Sequence, residues 1–470
     1  MGKTIDYTSL IAFLIVGLCL FISFFILFAH RWTIKPMAII IIILSATTTY
    51  FTSKYNVAID RTMIMNSIHT DVTEATGLLS IHMFPYIFFL IMLPTLLVAY
   101  IDITFKNFTK YILSSFILWV LVMSVGICTV YVKYNSIHRA INLSDKYIIH
   151  TLVPINYIRS IGSAIHRTVA DYYQKNKHEI VITGSVSSQD NLVVVLVVGE
   201  SSRQKNFSLY GYERKETNPI LSNETDLHVL NGKARIGSTL LALPEILEKN
   251  DIKLPAITSK LGIETSCYVN YTLYDNCSAV GEVMVDNCGH DGKCFDEDVI
   301  PLLDENLKSY ESGYRFILLH LGGGSHGPSY KDRYPPEFQR FNPQCSDADV
   351  LNNCTLEELY NSYDNTILYV DFVLGEIIKK LDQSGAPYVF IYMSDHGESL
   401  LEDGRLFHGM PPGIPLPPEQ AQVPLIIKSS IPLTIDEREQ YNQQDVFDSV
   451  LDLLSIETNL VNKEGSFLKK

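Results

Sequence analysis

The first residues that could carry chemistry are Glu200, Asp395 and His396, and what recommends them is what precedes each. Glu200 follows LVVVLVVG, Leu192 to Gly199, and the Asp395–His396 pair follows PYVFIYMS. Unbroken β-branched and aromatic runs of this length read as strands buried on both faces of a parallel sheet. Open α/β sheets hold their ligands beyond the carboxyl ends of such strands. A glutamate in that position is, alone, equally a solvated loop residue or a capping carboxylate. Two buried strands that each end in hard or borderline ligands read instead as a metal site.

The stretch RIGSTLLALPEILEKN follows the strand-like HVLNGKARI and leads into a helix, placing Ser238 and Thr239 near a helix amino end. Free N–H groups and the helix dipole stabilise an alkoxide or a phosphoryl oxygen there. By itself a Ser-Thr pair before a helix is a capping signal. Beside Glu200, Asp395 and His396, the hydroxyl becomes a candidate fourth ligand and nucleophile, since coordination lowers its pKa. Two carboxylates, one imidazole and one alkoxide suit Zn2+, one ion or two, with manganese the second choice. His326 in LGGGSHGPSY and His408 in GRLFHGMPP stand in glycine-flanked loops after strands. Either could hold a second ion, contact phosphoryl oxygens or protonate a leaving alkoxide. His320 lies within a strand and reads as a core histidine.

Stepping from these residues to the elements that hold them, strand-like Phe316–Leu321, Val389–Met393 and Val423–Ile427 alternate with helical Ala242–Lys249 and Leu356–Leu381. Such alternation predicts an α/β sheet covered on both faces. Before residue 132 the composition differs: Ser9–Ala29, Met37 to about Phe51, Met83–Tyr100 and Tyr111–Val132 are apolar runs near membrane-spanning length. The expected domains are therefore a four-helix transmembrane domain 1–132 with an outer loop 53–82, amphipathic bridging helices and linker 133–190, and a catalytic domain 191–470. Arg31 and Lys35, and Lys106 and Lys110, place two short loops in the cytoplasm, which leaves the catalytic domain outside.

The loop YNVAIDRTMIMNSIHTDVTEATGLLS spaces Asn66, Thr70 and Glu74 four apart, so they share one face of a helix. Such a stripe either faces water or forms a lid over a polar headgroup. Of the 8 cysteines, Cys19 and Cys128 fall in the apolar runs and six fall later. Six cysteines allow about 15 pairings and the sequence does not choose among them. Close spacing makes 267 with 277, 288 with 294 and 345 with 354 the simplest set, in keeping with an oxidising exterior, while a zinc-thiolate site in DNCGHDGKC, which lacks a tight CxxC pair, is the lesser reading. With a formal charge of −14 and no basic run, nothing points to a nucleic-acid binder.

GESSRQKNFSLYGYERKETNP, GSTLLALP, SHGPSYKDRYP, YDNTILYVDFVL, SDHGESLLEDGRLFHGMPP and DRTMIMNSIHTDVTEA together resemble segments, in the same order, of the phosphoethanolamine transferases that modify lipopolysaccharide, including the lipid A and mobile colistin resistance enzymes. That family belongs to the alkaline phosphatase and sulfatase superfamily. The resemblance implies an α/β/α periplasmic domain on a transmembrane bundle in the Gram-negative inner membrane. It also implies zinc ligands at Glu200, Asp395 and His396, a nucleophile at Thr239 rather than Ser238, and further metal- or phosphate-binding histidines at His326 and His408. Asn66, Thr70 and Glu74 would contact the headgroup, and Ser278 remains as a substrate contact where the family's nearby lysine is absent.

Other departures accompany it. Family members usually have five membrane helices against four here, so either a first helix is missing or the start of the chain is assigned late. The family's disulfide beside the nucleophile has no counterpart, Arg235 and Glu245 occupying the neighbourhood, while Cys267 and Cys277 look like an extra pair. The implied reaction moves phosphoethanolamine from phosphatidylethanolamine to Thr239 and then to lipid A or the inner core of lipopolysaccharide, with polymyxin resistance as a consequence. A monomer among membrane lipids is expected. The alternatives are a sulfatase- or phosphatase-type hydrolase, though GSTLLALP lacks the C/S-x-P-x-R sulfatase nucleophile motif, and a glycerol-phosphate transferase of the same superfamily.

Overall fold

A computed structural model describes residues 7–28, 30–55, 57–69, 81–104, 108–143, 147–175, 182–188, 190–270, 277, 280–281, 283–285, 294–322, 324–325, 327–347 and 349–469. Within these, the chain divides into two compact units. One is Met1–Thr70 with Leu79–Asn176 and Pro411–Ile414; the other is Lys177–Met410 with Pro415–Lys470.

The first unit is helical. Helices α1 (Tyr7–Phe28), α2 (Ile34–Tyr55), α4 (Ile81–Tyr100) and α5 (Phe108–Val132) are each long and apolar enough to cross a membrane. Many of their leucines and isoleucines are exposed, Leu14 at 62% and Ile127 at 64%, the pattern of side chains whose solvent is lipid. The second span runs past the expected Phe51 because Tyr50 and Tyr55 turn inward and are buried. Span α4 carries a π-helical stretch at Ile87–Met92 just before Pro94, whose missing N–H prevents regular pairing there. Between α2 and α4 lies α3 (Arg61–His69), whose first turn is held by Asp60 Oδ1 accepting from Met63 N–H at 2.8 Å. Helices α6 (Tyr134–Leu143), α7 (Tyr147–Thr151) and α8 (Ile155–Lys175) follow the last span. The Tyr157 hydroxyl of α8 reaches Ser45 Oγ of α2 at 2.9 Å, and Ser160 Oγ donates to the Ile59 carbonyl at 3.1 Å.

The second unit is organised by one eight-stranded sheet. Its strands are β1 (Leu192–Gly199), β2 (Leu227–Lys233), β3 (Glu264–Val269), β4 (Val283–Met284), β5 (Tyr314–His320), β6 (Tyr388–Ser394), β7 (Gln422–Ser429) and β8 (Tyr441–Asn442), in the order β8-β2-β7-β6-β1-β5-β3-β4. Only β7 runs against its neighbours. Alternating side chains of the central strands enter opposite cores. Val194, Leu196, Val198, Ile391 and Leu318 pack with Leu243, Ile246, Val446 and Val450 on one face. Val193, Val195 and Val197 on the other are equally buried, so both faces are covered and the strands read as continuous apolar runs.

Helix α9 (Thr239–Leu247) begins three residues earlier than Ala242, because Ser238, with extended backbone, serves as its N-cap residue. Glu248–Lys249 leave it to pair with Ile252–Lys253 as a short strand. Helices α10 (Leu254–Lys260), α11 (Ile300–Lys308), α12 (Leu356–Ser384) and α13 (Gln443–Leu453) are the unit's longer remaining helices. Helix α12 opens with a capping box between Thr355 and Glu358 and stops at Gly385, φ 69°. Disulfides Cys267–Cys277 and Cys345–Cys354 are formed as local spacing predicts; the third expected pair includes Cys288, outside the described residues.

Candidate metal and nucleophile site

Parallel strands β6, β1 and β5 lie side by side, with Gly199 in register with Ser394 and Val198 with His320. Whatever follows them in sequence therefore emerges at one edge of the sheet. After β1 comes Glu200, and after β6 come Asp395 and His396; all are buried, Glu200 at 1% exposure and the other two at 0%. Carboxylate and imidazole ligand atoms of these three converge within 4.8 Å of one another. Thr239, the first residue of α9, points its hydroxyl into the same place. Oγ1 is 3.0 Å from Glu200 Oε2 and 3.2 Å from His396 Nε2.

These separations test the fit of a metal. Four ligands about 2.0 Å from a tetrahedral zinc lie roughly 3.3 Å from one another. The edges here are 3.0 Å (Thr239 to Glu200), 3.2 Å (Thr239 to His396), 3.3 Å (His396 Nε2 to Asp395 Oδ2) and 3.8 Å (His396 Nε2 to Glu200 Oε1). Asp395 Oδ1 accepts from the backbone N–H of Ser201 and of His396, at 2.9 and 2.7 Å, whereas buried Oδ2 accepts no hydrogen bond among the described residues. His396 Nδ1 faces the Gly397 carbonyl at 3.0 Å. A carbonyl can only accept, so Nδ1 carries the proton and Nε2 turns its lone pair to the site. Two buried carboxylates facing one imidazole need a cation. The residues fit zinc.

Close backbone contacts enclose this arrangement. A Cβ on Gly324 would stand 2.5 Å from the Glu200 carbonyl oxygen, and one on Gly397 would overlap the Glu419 carbonyl and approach Arg203 Cβ to 2.9 Å. Neither loop could pass so near with a side chain there.

Electrostatics follow from burial. Desolvation raises the proton affinity of Asp395. For His396 desolvation works the other way, but the Asp395 and Glu200 carboxylates outweigh it, and its affinity rises too. His408 packs its ring against His396, centroids 4.3 Å apart, with Nδ1 3.2 Å from Glu398 Oε2. Burial, reinforced by His396, holds the His408 imidazole down to about 3, so it is neutral near pH 7. Burial pushes the Glu398 carboxyl well above the usual carboxylate range. Glu398 was not singled out from the sequence: a glutamate after His-Gly reads as a loop residue, and only its burial and its place beside His408 set it apart.

The structure thus brings together Glu200, Thr239, Asp395, His396 and His408. Asn66 lies on α3 in the helical unit. Thr70, Glu74, Ser278 and His326 fall outside the described residues. His320 is buried at the end of β5, as a core histidine would be. Arg235 and Glu245, where the flanking disulfide is missing, form an ion pair at 3.4 Å whose arginine is 60% exposed; surface pairs of this kind add little stability.

Comparison with known proteins shows the family. Residues 17–169 match the model of the phosphoethanolamine transferase EptA/EptB amino-terminal family, and residues 249–456 match the sulfatase family. Phosphoethanolamine transferase EptA of Helicobacter pylori is 31% identical over 96% of this chain and 88% of its own length. The chain belongs to the phosphoethanolamine transferase family. The lipooligosaccharide phosphoethanolamine transferase A structure from Neisseria meningitidis superposes with a TM-score of 0.85 at 25% identity, covering 100% of this chain and 93% of that one. Phosphatidylethanolamine transferase Mcr-2 of Escherichia coli is 28% identical over 86% of this chain and 80% of its own. As a family member this transferase is an integral membrane protein, with a sulfatase-like α/β/α catalytic unit in the periplasm.

Proposed function

We propose that this transferase uses Thr239 as a covalent nucleophile, takes phosphoethanolamine from phosphatidylethanolamine and passes it to lipid A or the inner core of lipopolysaccharide. The observation that carries the reading is the Thr239 hydroxyl seated 3.0 Å from Glu200 and 3.2 Å from His396, at the amino end of α9. The Mcr-2 and Neisseria relatives, by their names, act on the donor and on an acceptor of these classes. Thr239, Glu200, Asp395 and His396 would hold zinc, one ion or two, which supplies positive charge for the transferring phosphoryl group and lowers the pKa of the threonine hydroxyl.

In the first step Thr239 Oγ1 forms a bond to phosphorus as the bond to the diacylglycerol oxygen breaks. Thr239 gives up its proton as its pKa falls, and His408 or His326 acts as the acid toward that leaving oxygen, so diacylglycerol departs neutral. The amino end of α9 directs its N–H groups toward charge on the transferred group. In the second step an oxygen of the acceptor attacks phosphorus, and Thr239 leaves and regains its proton. His326 contacts the phosphoryl oxygens, and Asn66, Thr70, Glu74 and Ser278 contact the ethanolamine headgroup. Domains 1–132, 133–190 and 191–470 divide the work of anchoring, lying along the bilayer and catalysis, in a monomer surrounded by membrane lipids. Adding a primary amine to an anionic acceptor lowers its negative charge and hence its attraction for cationic polymyxins.

The test is intact mass spectrometry of the purified full-length protein incubated with phosphatidylethanolamine in the absence of acceptor. A phosphoethanolamine adduct present in the wild type and lost in Thr239→Ala supports the reading. Release of phosphoethanolamine to water without an adduct favours the hydrolase, and an intact donor with zinc bound overturns covalent transfer.

A further inference from the structure

Ser201, immediately after Glu200, has φ 55°, the left-handed region that residues with a Cβ seldom occupy. Three hydrogen bonds hold it there. Its N–H donates to Asp395 Oδ1 at 2.9 Å, its hydroxyl to Glu200 Oε1 at 2.6 Å, and its carbonyl accepts from the Tyr363 hydroxyl at 2.8 Å. The same Tyr363 oxygen accepts the Arg203 N–H at 2.9 Å, so one buried phenol spans the backbone from Ser201 to Arg203.

One turn further along α12, Thr366 Oγ1 lies 2.6 Å from the Tyr363 carbonyl and 2.9 Å from Ser325 Oγ. Because the carbonyl must accept, the Thr366 hydroxyl donates to it, and Ser325 donates to Thr366. Ser202 Oγ, 3.2 Å from Ser325 Oγ, continues the chain, and the Ser325 N–H returns to the Glu200 carbonyl at 3.1 Å. Helix α12 therefore grips Glu200 from both sides: through Ser201 on the chain that follows it, and through Ser325 on the loop that crosses it. All of these hydroxyls are buried, so each bond is made in a medium where leaving it unmade is costly.

We propose that Tyr363 and Thr366 are positioning residues of the metal site, fixing the Glu200 carboxylate at the separation from His396 and Asp395 that zinc requires. The inference rests on the reading of Glu200, Thr239, Asp395 and His396 as zinc ligands. Outer-shell partners of ligands commonly carry 10- to 100-fold in metal affinity.

Zinc affinity of the detergent-solubilised full-length protein, measured by competition with a chromophoric chelator alongside the thermal midpoint of the metal-free form, tests it. The variants are Tyr363→Phe, Thr366→Val and, as a control, Tyr388→Phe, which loses a hydroxyl bond to Asp382 on another side of the unit. Tyr363→Phe and Thr366→Val are expected to raise the zinc Kd about 10- to 100-fold while Tyr388→Phe stays within about twofold. A merely structural role would lower the midpoint and leave the Kd alone. A Kd within about twofold of wild type for Tyr363→Phe, or for Thr366→Val should the first not fold, overturns the proposal, whereas a wild type that takes up no zinc overturns the underlying metal reading.

Discussion

His396 Nδ1 lies 3.0 Å from the carbonyl oxygen of Gly397, its own chain neighbour. A backbone atom one residue away thus selects the imidazole tautomer, and Nε2 needs no distant partner to be turned toward Glu200 and Asp395. Zinc at about 100 times its Kd should stabilise the folded chain by about 2.7 kcal/mol. A thermal midpoint that rises with added zinc in the wild type, is reversed by chelator, and is flat in His396→Ala is the expected result. An equal rise in both proteins would remove His396 from the ligand set.

Helix α3 carries Asn66 on a different unit from Glu200, Thr239, Asp395 and His396, so the proposed headgroup contact and the proposed metal binding should separate by mutation. Asn66→Ala combined with Glu74→Ala is expected to raise the KM for phosphatidylethanolamine at least tenfold with zinc content unchanged. Unchanged turnover at low donor concentration would rule out the headgroup role.

Arg203, buried beneath the Glu200 loop, donates from Nη1 to Glu402 Oε1 at 2.7 Å, and Tyr360 and the Leu400 N–H also bond that carboxylate. Desolvation opposes ionisation of Glu402, but Arg203 and these donors outweigh it and hold the carboxyl down to about 2, against an ordinary 4.5. A depressed acid stabilises the fold fully above its unfolded pKa and loses that contribution as pH falls toward the folded value. Between pH 4.5 and about 2 the wild type should therefore lose stability more steeply than Glu402→Gln, measured as thermal midpoint against pH. Parallel acid limbs would contradict the assignment.

Cys345 and Cys354 close a short loop just ahead of α12, with a sequence separation of 9. Opening it with Cys345→Ser and Cys354→Ser should cost about 2 kcal/mol through the unfolded chain. Because Thr355 and Glu358 cap α12 independently, the helix should survive. Circular dichroism with denaturant titration would show a lower midpoint with unchanged helical signal; loss of helical signal would mean the disulfide, rather than the cap, sets the start of α12.

Residues whose local sequence is abnormal for a core were legible without coordinates. Glu200 and Asp395 interrupt unbroken apolar strands, and an interruption at a strand end has few structural uses. Tyr363 and Thr366 had no such mark. In a 29-residue helix with tyrosines, asparagines and threonines along its buried face, nothing local tells which hydroxyl meets a ligand loop. Their partners lie 162 positions away for Ser201 and 41 for Ser325, a pairing only the fold creates. Strand direction was hidden likewise: Val423–Ile427 reads as a strand, but its reversal against β6 and β2 depends on the connection rather than on composition. The left-handed Ser201 was invisible because serine carries no sign of it.

The glycines at 324 and 397 press backbone directly against the chain that bears Glu200 and against the Glu419 carbonyl. Packing of main chain on main chain cannot be reshaped by exchanging side chains. Drift toward a new acceptor or a different inhibitor response must then come from surfaces farther out, and the floor of this enzyme should be the last part to yield to selection.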